Sequence, residues 1–186
     1  MPDPVITAAI LVIGDEILSG STKDKNIGVI ADVLTETGVD LREVRIVPDE
    51  PQEIVSALNA LRQRYTYVLT TGGLGPTHDD VTADSVADAF CVEIDIDERA
   101  RAMLLERHDP SKLNAARLRM ARIPAGADLI VSPVTKAPGF RIENVFVMAG
   151  VPQIMVAMLE EVRHLLRSNP PIISVTIDAD RLPESS

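Results

Sequence analysis

A chain of 186 residues with 46% hydrophobic and 25% charged residues is one folded domain's worth of ordinary globular sequence, neither disordered nor fibrous. Its 28 acidic against 18 basic side chains, net charge -10, absent tryptophan and 3% aromatic content argue against nucleic acid as a partner, which wants a basic surface and stacking rings. Cys91 stands alone, which rules out an intrachain disulfide or a cysteine-based metal cluster, and it is expected to be a buried, inert thiol in a reducing compartment.

No basic segment precedes an apolar core at the N-terminus and no apolar run approaches the ~18 residues that span a bilayer, so a cytoplasmic protein without membrane contact is expected. The first element is Thr7 to Ile13, a continuous apolar run that predicts a parallel strand buried on both faces, ending at Gly14-Asp15-Glu16. From Asp24 to Thr37, Ile27, Ile30, Val33 and Leu34 recur at helical spacing, and Gly38 supplies the stop. Leu41 to Val47 alternates apolar and charged residues and predicts a strand nearer an edge.

Asp49-Glu50-Pro51 opens a helix with Ile54, Val55, Leu58 and Leu61 on one stripe, and Tyr67 to Leu69 is a third strand running into Thr70-Thr71-Gly72-Gly73. Val81 to Phe90, Asp97 to Arg107 and Leu113 to Arg122 read as helical, Val145 to Met148 as a buried strand, and Pro152 starts a helix whose apolar face is Ile154, Met158, Leu159, Val162 and Leu165. The alternation predicts an α/β fold of three layers, a mostly parallel sheet with helices on both sides. A soft boundary at Asn169-Pro170-Pro171 separates this domain, 1–169, from 170–186, where Ile172 to Asp178 reads as one more strand opening a further unit.

In an open parallel sheet, ligands bind outside the carboxyl ends of the strands. Four loops leave such ends: Gly14 to Ser21, Pro48 to Pro51, Thr70 to Thr82 and Ala149 to Pro152. Gly72, Gly73 and Gly75 let backbone N–H groups approach an anion, and the helix opening near Val81 adds its own unpaired amides, so the loop suits a phosphate. The same glycines would also serve a simple tight turn, but the connection is longer than the usual ~2–6 residues, and Thr70, Thr71 and Thr77 add hydroxyls. Asp49, Asp79 and Asp80 lie on the same edge, where a divalent ion such as Mg²⁺ could bridge them to ligand phosphates; each could equally cap a helix. His78 could touch a phosphate or pass a proton, although a lone loop histidine is more often a solvated or packing residue; His108 and His164 read as surface, and the Arg117, Arg119, Arg122 group, which could reach an anionic ligand, reads by default as a solvated face.

Taken in order, Gly14-Asp15-Glu16-Ile17-Leu18, Gly20, Asn26, Val47-Pro48-Asp49, the block Thr71-Gly72-Gly73-Leu74-Gly75-Pro76-Thr77-His78-Asp79-Asp80-Val81-Thr82, Ala137-Pro138-Gly139 and Gly150-Val151-Pro152 resemble the molybdopterin-binding (MoCF) domain. The resemblance runs from Ile6 to Leu166, and the Gly-Leu-Gly-Pro-Thr-His-Asp-Asp version is similar to the CinA-type N-terminal branch. One departure is Ala149 where the family usually carries proline.

What the resemblance implies is a phosphorylated small molecule as ligand, molybdopterin or an adenine nucleotide, a divalent metal, and homo-oligomers, either dimers or trimers. Two chemistries come with it: transfer of AMP from Mg-ATP to molybdopterin phosphate, or hydrolysis of ADP-ribose-like or FAD pyrophosphates; a ligand-binding module without turnover is the alternative. It makes Asp49 and Asp80 the functional aspartates and metal ligands, with Asp80 the stronger candidate. It also gives a ligand-binding set of Gly14, Asp15, Glu16, Ser19, Gly20, Asn26, Thr71, Gly72, Gly73, Gly75, Thr77, His78, Asp79, Thr82 and Gly139.

Overall fold

A computed structural model describes residues 5–106 and 114–166; the predicted tail strand Ile172 to Asp178, the boundary near Asn169 and His108 lie outside the described residues. β1 (Thr7–Ile13) is buried on both faces, and its alternate residues feed two different cores. Ala9, Leu11 and Ile13 face one helical layer, and Ala8, Ile10 and Val12 face the other, so the strand is apolar throughout because neither face meets water.

A one-turn helix α1 (Asp15–Leu18) follows, then α2 (Asn26–Glu36), whose first amides at Asn26 and Ile27 donate to the Asp24 carboxylate. β2 (Asp40–Val47) pairs parallel to β1 as the edge strand, α3 (Pro51–Arg64) begins on its proline, and β3 (Tyr67–Thr71) pairs parallel to the other side of β1. α4 (Thr82–Phe90) ends with Cys91 in the left-handed conformation. The Cys91 and Val92 amides there bond back to the carbonyls of Asp88 and Ala87. Cys91 is exposed, which corrects the expectation of a buried thiol: the cap turns it away from the stripe of α4 that packs inward.

The chain then makes an excursion. β4 (Ile94–Ile96) pairs antiparallel with β5 (Arg122–Pro124), and between them lie α5 (Glu98–Leu105) and α6 (Ala115–Arg119). The helix predicted over Leu113 to Arg122 is therefore only partly present: its end is the strand Arg122-Ile123-Pro124, too short to show a period of two. β6 (Asp128–Ile130) and β7 (Gly139–Ile142) return the chain to the main sheet, joined by β8 (Val145–Met148), and α7 (Pro152–Val162) closes the fold.

The sheet order is β2-β1-β3-β8-β7-β6, with β2, β1, β3 and β8 mutually parallel and β7 antiparallel to both its neighbours. α2 and α7 cover one face, α3, α4 and α5 the other, giving three layers as expected. Leu165, predicted on the apolar face of α7, falls in the 3₁₀ turn beyond it and is exposed. Among the described residues no helix is long and apolar enough to cross a membrane.

Because the chain leaves β1 for β2 on one side and returns with β3 on the other, the carboxyl ends of β1 and β3 form a topological switch point, the place where loops diverge and leave a crevice. Behind it, Phe146 on β8 is fully buried with its ring edge-on to Tyr67 at 5.9 Å. Phe146→Ala should lower the unfolding free energy by about 3–5 kcal/mol, read from urea denaturation; a loss under about 1 kcal/mol would place the ring outside the core.

Candidate functional site

The loops after β1 and β3 are built against each other. Gly72 has φ +104, and a Cβ on it would land on the Ile13 carbonyl oxygen, so only glycine lets the end of β3 lie this close to the end of β1. Gly73 follows at φ +58, where a Cβ would meet the Thr82 hydroxyl and lie 3.2 Å from the Asp49 carboxylate. Thr82, fully buried, donates its hydroxyl to the Gly72 carbonyl at 2.9 Å and its amide to the Gly73 carbonyl at 3.1 Å, which ties the start of α4 to the loop.

A second tie comes from α2. The Asn26 side-chain amide donates to the Thr71 hydroxyl at 2.7 Å and to the Gly150 carbonyl at 2.8 Å, and the Thr71 hydroxyl donates on to the Ala149 carbonyl at 3.0 Å. Asn26, Thr71 and Thr82 are thus buried supports of the loops.

Above these supports opens a cavity of about 830 Å³, within the size range of small-molecule sites. Glycines 72, 73 and 75, Thr77, Asp80 and Glu16 are among the residues that line it. Asp80 accepts at one carboxylate oxygen from the Thr77 amide at 2.8 Å and the Thr77 hydroxyl at 2.6 Å, closing the turn that carries both residues. A Cβ on Gly75 would stand 2.7 Å from that carboxylate. Met120, Pro138, Ile154 and Met158 supply apolar lining.

Asp49 stands behind the glycines, off the cavity wall, and accepts from the Asp15 amide at 3.0 Å. Burial pushes its carboxyl above the usual carboxylate range, against the pull of the Asp15 amide, and the charges of Glu16, Asp15 and Asp80 push the same way. Those three acids are therefore its electrostatic neighbours, and Asp49 and Asp80 flank one loop. Among the described residues no three His, Cys, Asp or Glu side chains are grouped to hold a metal by themselves. The pair fits a hard ion only in the Mg²⁺ manner, one or two carboxylates with ligand phosphates and water completing the shell.

The remaining predicted residues lie apart. His78 and Asp79 point into solvent and pair with each other at 2.9 Å, off the cavity wall. The Ser19 hydroxyl donates to the Glu16 carbonyl at 3.3 Å, closing a turn, and Gly20 faces open space. The Gly14 amide bonds the Val47 carbonyl at 3.1 Å, fixing β1 to β2 at their ends. Gly139 lies buried in β7, where a Cβ would strike the Val147 carbonyl. Sequence reasoning missed the apolar lining, because Met120 and Met158 carry no chemistry to single them out; their helical spacing reads as core.

Residues 9–168 match the MoCF biosynthesis family, described as a probable molybdopterin binding domain. The chain belongs to that family. Within the MoCF domains it falls in the CinA-type branch: it is 40% identical over 166 residues to a protein of Pyrococcus abyssi, covering 82% of this chain and 66% of that one. It is also 40% identical over 159 residues to a CinA-like protein of Citrifermentans bemidjiense, covering 82% of this chain and 38% of that one. A solved CinA of Thermoplasma acidophilum, described as of unknown function, superposes with TM-score 0.81 at 34% identity over 86% of this chain and 97% of that one. MoaB of Thermus thermophilus, a molybdopterin biosynthesis enzyme, shares the fold at TM-score 0.59 and 21% identity, over 87% of this chain and 92% of that one. The chain spans about two thirds of the length of the archaeal relatives it matches and 38% of the CinA-like protein.

Two outcomes follow from the geometry. Gly72→Ala forces a Cβ onto the Ile13 carbonyl and should lower stability by about 3 kcal/mol or more, measured by urea denaturation; an unchanged midpoint would mean that β1 and β3 do not approach as described. Asp49→Asn acts in the other direction. The native state holds the Asp49 proton more tightly than the unfolded chain, so its contribution is greatest below the unfolded pKa and is lost as pH rises through the raised native one. The variant should therefore melt higher than wild type at pH 7, with the gap closing below about pH 4; a lower melting temperature at pH 7 would show that the Asp15 hydrogen bond outweighs desolvation.

Proposed function

We propose that this MoCF domain binds a phosphorylated pterin or an adenine nucleotide with its phosphates on the Gly72–Thr77 loop, and acts on the pyrophosphate bond. The observation that carries the reading is the mixed lining of one cavity: glycines beside the Asp80 and Glu16 carboxylates, together with Met120, Ile154 and Met158. A ligand with an anionic group joined to a flat ring system matches both kinds of lining. The resemblance to the CinA-type branch supports hydrolysis of an ADP-ribose-like or FAD pyrophosphate, and the family's description as a probable molybdopterin binding domain supports a pterin ligand.

In this reading the loop amides of Gly73 and Gly75 orient the phosphates and stabilise charge growing on phosphoryl oxygens, while Thr77 spends both its donors on Asp80. Asp80, braced by its two bonds from Thr77, would hold a divalent ion with Asp49 behind it. That ion supplies charge neutralisation and polarisation of the phosphoryl group. The apolar lining holds the ring and keeps water from it. Because the ligand must contribute to the ion's shell, metal and ligand binding should be mutually dependent.

The experiment is incubation with ADP-ribose, FAD and ATP, each with Mg²⁺, Mn²⁺ or Co²⁺, with chromatography for AMP. Wild type should release AMP from at least one pair, and Asp80→Asn should slow it by about 100-fold or more, the scale expected of losing a main electrostatic group. Equal turnover in the variant would remove Asp80 from the chemistry. Stoichiometric binding with no product under any metal would instead establish a carrier, the second reading, which the off-wall placement of Asp49 favours.

A further inference from the structure

The two edges of the main sheet are unlike. β6, at one end, is three residues long, too short to template another strand. β2, at the other, is eight residues long without a proline, and among the described residues its outer side has no strand partner. A long free edge of this kind accepts a further strand unless its side chains oppose one.

One face of β2 is apolar and uncovered. Val44 and Ile46 stand in register with Ile10 and Val12, so they lie on the side that α2 and α7 cover, yet they are 39% and 38% exposed while their neighbours on β1 are buried. Leu18 is exposed as well, on α1, which leaves β1 where the Gly14 amide bonds the Val47 carbonyl and packs beside β2. On the opposite face, Arg45 donates to Glu43 at 2.6 Å and the Tyr65 hydroxyl donates to the same carboxylate at 2.7 Å.

The charges select the occupant. The whole chain carries -10, so two copies repel in general, but β2 sets Asp40 and Glu43 against Arg42 and Arg45 and is neutral. Their order is also self-complementary. When β2 is laid antiparallel on a second β2 about a two-fold axis at Val44, each Glu43 faces the partner's Arg45, and Val44 faces its own copy with Ile46 diagonal to it. Moving the axis by one residue sets Glu43 against Glu43 or Arg45 against Arg45, so like charges reject those registers. The match requires no side chain to leave its partner within the chain, because opposite charges across the axis attract and like ones repel. A bulge is the usual defence of an edge, but here the register shift falls at Arg42, ahead of the regular stretch from Glu43 to Val47.

We infer that β2 is a self-association edge, through which two copies of this chain join by antiparallel β2 strands with Val44 on the two-fold axis. The pairing makes one continuous sheet across both copies and covers Val44 and Ile46 of each.

The test is sedimentation velocity of the full chain over a concentration series. Wild type should pass from monomer to dimer within about 1–100 µM, the range of a small interface. Val44→Glu, which sets two carboxylates against each other on the axis, should need at least about 10-fold more protein to dimerise. Val156→Glu, at an exposed apolar position on α7, should behave as wild type does. Register is read by cross-linking in a Cys91→Ser background, which removes the native exposed thiol. There Val44→Cys should form a disulfide-linked dimer on mild oxidation and Ile46→Cys should not, because the two copies of residue 46 stand about 13 Å apart along the paired strands, beyond disulfide reach. A wild type that stays monomeric leaves the edge to another occupant, the chain beyond Leu166 or a different protein, and overturns the inference. A trimer, or a dimer that Val44→Glu leaves unchanged, overturns it too, as does cross-linking at residue 46 and not at 44. Should Val44→Glu lose its cooperative thermal transition, the cysteine pair decides.

Discussion

The site depends on one close approach. Where β3 ends, the Gly72 backbone lies against the carbonyl of Ile13, the last residue of β1, in a conformation that a side chain would forbid on both steric and torsional grounds. Parallel pairing of β1 and β3 brings the two ends together, and the absence of a Cβ lets them touch. A Cβ on Gly150 would in turn stand 3.1 Å from the Gly72 Cα, so the loop after β8 packs on the same point. Three strand ends thus converge on one glycine, and the buried Asn26 amide, bonded to Thr71 and Gly150, holds them from the α2 side. Rigid backbone under the loop is what allows Gly73 to Thr77 to project as a preorganised rim.

Negative charge is concentrated behind that rim. Asp49 is partly desolvated and surrounded by Glu16, Asp15 and Asp80, a crowd of like charges that raises the proton affinity of its carboxyl. Structural ion pairs elsewhere in the chain work the opposite way: Asp97 is held below its usual range by the Arg99 guanidinium, and Glu43 by Tyr65 and Arg45. A folded domain gains nothing in stability from the Asp49 arrangement, and groups perturbed by burial and like charge concentrate where ligands or ions complete the charge balance.

Much of the scaffold was legible because its signals are long and periodic. The full run Thr7 to Ile13, the stripes of α2 and α3, and Pro51 and Pro152 as helix starts all needed only local patterning, and they place the four loop-bearing strand ends. The elements that escaped are those with three or four residues: β4, β5, β6 and β7 owe their pairing to partners far away in sequence, and no period can form in Ile94-Asp95-Ile96. At the site, the glycines and Asp80 were marked by their chemistry, whereas Asn26, Thr71 and Thr82 gave only a motif, and their role as buried supports is visible in hydrogen bonds that span the fold. His78 and Asp79 sit in the most conspicuous stretch of sequence and yet pair with each other in solvent, since a turn closed by Thr77 and Asp80 turns the two residues between them outward.

The parts of the cavity lining have different origins, and this bears on what the fold alone can determine. The glycines lie at the β1 and β3 switch point, a feature of the sheet's connectivity. The apolar lining comes from the end of α6, the Ala137-Pro138 segment and α7, elements whose placement the sheet order does not dictate. MoaB shares the fold at 21% identity, and that similarity speaks for the sheet and not for that lining. In the proposed reading, discrimination between a pterin and an adenine nucleotide would therefore rest on Met120, Ile154 and Met158, the part of the lining that the shared sheet does not build.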